Sequence, residues 1–148
     1  MTKTNWANKT KEAVQAVPVS TQTKDRGTRH RAVVDKVEAV AYKTGSFGIK
    51  IKYQVEGLER AVYENVVLRK PDTEGNMQPT RFGEATLKRR LQAFGMTADE
   101  VNAFAIPKTV QQGAQLSTIS GVPVAIYLRD REYLGKPQKD VASVFPPN

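Results

Sequence analysis

The chain contains no cysteine, so neither a disulfide nor a thiolate metal site is available to it. It has one histidine, His30, set between Arg29 and Arg31. A structural zinc site usually takes four protein ligands, and a lone imidazole between two cations is a poor beginning for one. No apolar run approaches the length of a membrane span, and the N-terminus lacks the apolar stretch of a signal peptide. A soluble, cytoplasmic chain is the expectation. Nucleophilic catalysis finds no cysteine and no histidine-based dyad or triad to use. The stretch Gly45-Ser46-Phe47-Gly48-Ile49-Lys50 lacks phosphate-loop spacing and reads as turn into strand, not strand into helix. Asp72, Glu74 and Glu84 lie near one another, with Lys88 following, but the first two fall in a polar loop. A metal-dependent nuclease needs carboxylates converging from rigid elements. The reading is therefore not an enzyme, with no cofactor and no metal.

What is present is positive charge. Lysine and arginine number 23 against 15 acids in 148 residues, a formal charge of +8. Residues 1–36 hold eight of the cations and three of the acids, and so +5 of that total. A basic chain with a basic end points to a polyanionic partner; the alternative is a protein that is merely cationic.

Residues 1–28 are rich in Thr, Lys, Gln and Asn, show no sustained period and read as a flexible basic arm carrying Trp6. The rest, 29–148, reads as one domain. Arg31 to Lys43 is a strand whose valines change parity midway, which predicts a bulge or strong bend. Phe47, Ile49, Ile51, Tyr53 and Val55 share one face of a second strand, with Gly48, Lys50, Lys52 and Gln54 on the other. Glu56-Gly57 makes a hairpin to a third strand, Arg60 to Leu68, in which Tyr63 opposes Val62 and Val66 in parity and is open to face either way. Residues 69–81 read as a polar loop, Phe82 to Phe94 as a helix, and Thr97-Ala-Asp-Glu100 as a capping box opening a second. The Lys88-Arg89-Arg90 run is expected on the wet side of the first helix. Residues 106–120 connect. Val122 to Tyr133 and Gln138 to Phe145 form a closing pair of strands around Leu134-Gly135-Lys136-Pro137. The expected fold class is mainly β: three meandering strands, a helical insertion between strands 3 and 4 and a closing hairpin, the order of a five-stranded OB-type barrel. An open α+β sheet is the alternative.

Tyr127, Arg129, Arg131 and Tyr133 form one stripe, opposite the aliphatic Val122, Val124, Ile126 and Leu128. An outward face needs neither tyrosines nor arginines to fold. Aromatic rings offer any base a stacking surface, and arginines meet phosphates. The bland alternative is a solvated strand with Tyr–Arg packing pairs. Lys50 and Lys52 add charge on the second strand, and Lys43 and Lys136 on the two turns that flank ligand in OB barrels. Those eight residues are the candidate nucleic-acid site.

Gly45 to Leu68 resembles the glycine turn, strand, hairpin and strand of phage-encoded OB-fold single-stranded DNA-binding proteins. Gly121 to Pro146 is similar to them in its basic strand, its Tyr-x-Gly-Lys turn and its valine-containing last strand ending in Phe-Pro. The Leu-x-x-Phe-Gly end of the helix fits too, and the resemblance spans roughly residues 31–146. It implies non-catalytic, sequence-tolerant binding of single-stranded DNA in phage replication or recombination, in the host cytoplasm. Many proteins of this role recruit partners through an acidic C-terminal tail, and Ser-Val-Phe-Pro-Pro-Asn is not one. Single-stranded DNA is the expected partner and no membrane is expected. Replication or recombination proteins and further copies of the chain stay open as partners. The rivals are an OB module binding RNA or protein and a small metal-dependent DNA-processing enzyme.

Overall fold

The computed structural model describes residues 27–147; of the arm expected over 1–28, residues 1–26, with Trp6, lie outside the described residues. The described chain is mainly β. Its strands are β1 (Thr28–Ala41), β2 (Phe47–Val55), β3 (Val62–Pro71), β4 (Met77–Pro79), β5 (Val122–Tyr133) and β6 (Lys136–Phe145). Between β4 and β5 lie helices α1 (Gly83–Ala93) and α2 (Ala98–Ala103) and a 3-10 helix, Gln112–Thr118. The strands form one antiparallel sheet in the order β4-β3-β2-β1-β5-β6. It curls, so that β3 and β6 approach each other and α1 packs over both.

β1 is the spine of the curl. Its first half pairs with β5 (Thr28 to Val34) and its larger part with β2 (Ala32 to Ala41). The register slips between Val34 and Lys36, at Asp35. This bulge is the parity change seen in the valines: Val34 and Val37 both point into the core although three residues apart. The strand also starts earlier than its apolar pattern, at Thr28, because Arg29 and Arg31 join the ladder opposite Tyr127 and Ala125.

Inside the curl, Ile49, Ile51 and Tyr53 meet Val66, Leu68, Val124, Ile126 and Leu128, with Leu87 and Leu91 of α1 against them. Each fully buried aliphatic side chain contributes about 1.5–3 kcal/mol. The capping box of α2 is formed at both ends: Thr97 Oγ1 accepts from the Glu100 amide (3.1 Å), and Glu100 Oε1 accepts from the Thr97 amide (2.8 Å).

Three expectations need correction. The polar stretch 69–81 is not simply a loop. β3 runs on to Pro71, turns over residues 72–76 and returns as β4, which makes six strands among the described residues where five were expected. Its polar residues are turn chemistry: Asp72 Oδ1 accepts from the amides of Glu74 and Asn76, both at 2.9 Å, and Gly75 takes a φ of 87°. The connector 106–120 carries the 3-10 helix, held close to β1 at Gly113, where a Cβ would stand 2.6 Å from that of Ala39.

The third is Arg90. It is only 6% exposed, not on the wet side of α1. Its Nε donates to both Glu64 oxygens (2.9 and 3.1 Å) and its Nη2 to Oε2 (2.7 Å). The Tyr53 hydroxyl donates to Glu64 Oε1 at 2.9 Å. Arg90 follows Leu87 by three residues and so flanks the apolar stripe, where a carboxylate on β3 satisfies it. Burial lifts the Tyr53 hydroxyl well above the usual phenol range, and the Glu64 charge adds to it. Burial opposes the Arg90 charge, yet the Glu64 bonds outweigh it and leave the guanidinium more basic than usual.

Candidate nucleic-acid interface

Pleating sends every second side chain to the outside of the curl. On β2 these are Lys50, Lys52 and Gln54; on β3, Tyr63 and Asn65; on β5, Tyr127, Arg129 and Arg131. β1 adds Arg29, Arg31, Val33, Lys36 and Glu38 between them. Glu38 lies opposite Lys50, and Arg29 opposite Tyr127. At about 3.3 Å per residue, the stretch of β1 between those two points is roughly 30 Å long.

The cations fall into two groups along that path. In the first, Lys50 Nζ stands 4.8 Å from the centre of the Tyr63 ring, and Lys52 Nζ is 3.3 Å from Asp35. Lys36, Glu38, Lys50, Lys52 and Tyr63 line a hollow of about 150 Å³ there. Gln54 donates its amide to Asp35 at 3.3 Å. That bond, with Lys52 beside it, holds the Asp35 carboxyl below its ordinary pKa. Tyr63, whose face the sequence left open, points outward and is 50% exposed. Phe47 and Tyr53 are core, as their parity predicts.

The second group stands on β5 and β6. The Tyr127 and Phe145 rings meet edge to face, centres 5.7 Å apart. Arg129 Nη2 and Arg131 Nη1 both reach Asp140 Oδ2, at 3.7 and 3.6 Å. Beyond Leu128 the ladder between β1 and β5 has ended, so among the described residues 129–133 and 136–140 continue as a two-stranded ribbon. Asp130 and Lys139 form an ion pair along it. Leu134 and Gly135, at φ 52° and 77°, turn the ribbon. Tyr133 occupies the strand position opposite Lys136. Lys43 stands exposed in the turn at the other end of β1. The fold thus joins Tyr127 with Arg129 and Arg131, and Lys50 with Lys52, while Lys43 and Lys136 mark opposite ends of the face.

Sequence reasoning missed two arginines and one ring. Arg29 and Arg31 were counted as charge, not as members of a face. Their alternation with His30 and Ala32 was the available signal. Among the described residues neither has a carboxylate within ion-pairing distance, unlike Lys52, Arg129 and Arg131. Phe145 was seen only as the end of a strand.

The chain matches no protein-family model and no curated protein. Among the described residues, no helix is long and apolar enough to cross a membrane, and no three His, Asp or Glu side chains gather as a metal site would require.

Proposed function

We propose that this chain binds single-stranded DNA without catalysis and with little regard to sequence, on the outer face of an OB-type barrel. The observation that carries the reading is the alternation on that face. Arg29, Arg31, Lys50, Lys52, Arg129 and Arg131 share it with Tyr63, Tyr127 and Phe145, opposite a core that is aliphatic and aromatic apart from the Arg90–Glu64 pair and Ser46. Nothing in folding asks for that composition. Phosphates need the cations, and unstacked bases need the rings. The barrel reading is supported by the bulged first strand shared between two halves of the sheet, the helices after the third long strand, and the approach of β3 to β6. A role in phage replication or recombination rests on the resemblance alone.

Fluorescence titration of the full chain with oligo-dT, in competition with single-stranded RNA and duplex DNA, tests the reading. Single-stranded DNA is expected to win. With Arg29, Arg31, Lys50, Lys52, Arg129 and Arg131 on phosphates, log affinity should fall with log salt at a slope of about −4, at about −0.7 per contact. A flat salt response sinks the assignment of this face, and preference for duplex or RNA sinks the choice of ligand.

A further inference from the structure

Between the two cationic groups the outer face dips. A groove of about 700 Å³ lies where β1 is flanked by the end of β2 and the start of β5. Small-molecule sites span roughly 300–1,000 Å³, so it is large enough to take a ring system. Its floor is apolar, with Val33 and Ala125; Pro123 and Pro147 border it, and Gln54 and Glu56 line it at the end of β2, Glu56 bonding through its amide to the Arg31 carbonyl at 2.8 Å. Val33 is 40% exposed on a strand whose other outward residues are mostly charged. Ala125 is 2% exposed even though it faces outward, because its small side chain lies at the bottom of the dip. Arg29 and Arg31 stand along one side.

We propose that this groove receives one unstacked nucleobase of a bound single strand, with Arg29 and Arg31 holding the phosphates on either side of it. The assignment rests on the single-stranded DNA reading above and deepens it. An apolar floor is a poor seat for a bare anion, since it offers no donors. Two guanidiniums with no carboxylate in ion-pairing distance among the described residues are in turn a poor rim for a purely apolar ligand. A nucleotide within a strand brings a flat apolar ring and an anion on each side of it. Duplex DNA keeps its bases stacked and paired, so it cannot fill the groove while its phosphates reach the rim. The position also joins the two halves of the face. Arg31 lies opposite Ala125 and Arg29 opposite Tyr127, while Val33 lies opposite Gln54, two residues beyond Lys52. A strand running from Lys50 to Arg129 passes over it.

The test compares oligo-dT with an abasic oligonucleotide of the same length, on the full chain and on Val33→Gln and Arg31→Ala. Glutamine reaches into the groove without offering a ring to stack on. Wild type should bind oligo-dT about ten-fold or more above the abasic strand. Val33→Gln should lose the groove's share of that preference, leaving the share due to Tyr63, Tyr127 and Phe145, while keeping its affinity for the abasic strand. Arg31→Ala should weaken both ligands and make the salt slope shallower by about 0.7. Melting temperatures near wild type establish that the variants are folded; both residues point outward, and Arg31→Ala serves if the glutamine variant unfolds. If wild type binds no single strand, the parent reading fails. If wild type binds, and the folded variants keep both its dT preference and its salt slope, the groove assignment is overturned, and a segment of this chain or a second copy is the better occupant.

Discussion

Glu64 and Asp140 both face arginine, the first inside the curled sheet and the second outside it. Glu64 is enclosed, and Arg90 grips it with bonds of 2.7–3.1 Å while Tyr53 donates a third group. Asp140 is shared by two exposed guanidiniums at 3.6–3.7 Å, with open solvent around all three. A buried pair cannot exchange partners, because any partner lost leaves an uncompensated charge in a dry site. An exposed pair at that distance contributes about 0–1 kcal/mol, so a phosphate can replace the carboxylate at little cost. The same residue types therefore hold α1 to the sheet on one side and stand ready for a ligand on the other.

The largest effect should come from breaking the inner pair. Arg90→Ala leaves the enclosed Glu64 charge without its cation, with only the Tyr53 hydroxyl as a partner, and should cost about 3–5 kcal/mol in denaturant unfolding. Affinity for oligo-dT, measured where the variant is still folded, should hardly move. A cost below 1 kcal/mol would remove the distinction between the two carboxylates.

Loss of an outer ring comes next. Tyr127→Ala should weaken oligo-dT binding by roughly 1–3 kcal/mol, similarly for dT and mixed sequences, since stacking tolerates any base. Its stability loss should stay below the roughly 3–5 kcal/mol of truncating a fully buried aromatic, since the ring is only half-buried. A large fall in melting temperature with unchanged affinity per folded molecule would make Tyr127 a packing residue only.

The inner cluster should also reveal itself at alkaline pH. The Tyr53 hydroxyl is raised by burial above its ordinary value of 10.0, so the folded chain keeps a proton that the unfolded chain loses. The stability due to that proton is fully present below pH 10 and declines as pH rises beyond it, by about 1.4 kcal/mol per unit. Tyr53→Phe should flatten this limb of a stability–pH curve. An unchanged limb would assign it to other tyrosines.

The smallest effect is the most telling about the outer face. Asp140→Asn removes the carboxylate from Arg129 and Arg131, and should tighten oligo-dT binding a few-fold at low salt while changing stability by less than about 1 kcal/mol. Weakened binding would mean that Asp140 positions the arginines for ligand instead of competing with it.

Much of this was legible before any coordinates. The period-2 runs at Phe47–Val55 and in residues 122–131 separate core from outer face correctly, because pleating is local and each residue carries its own parity. The Thr97 capping box was legible for the same reason, since its partners are three residues apart. The bulge in β1 showed as a slip in the valines. The short β4 was hidden because turn residues and loop residues have the same composition, and only pairing tells them apart.

The remainder depended on which strands meet and in what register. Arg90 and Glu64 are 26 residues apart, and a basic helical run looks alike whether or not a carboxylate waits across the core. Arg29 belongs to the outer face because β5 pairs beside it and sets it opposite Tyr127, a contact across nearly a hundred residues of chain. The groove between them belongs to no single strand: β2, β1 and β5 each supply one part of it. Local alternation determined which side chains could share a face. Only the curl of the sheet decided which of them stand together, because partners and register come from closing distant segments around one core.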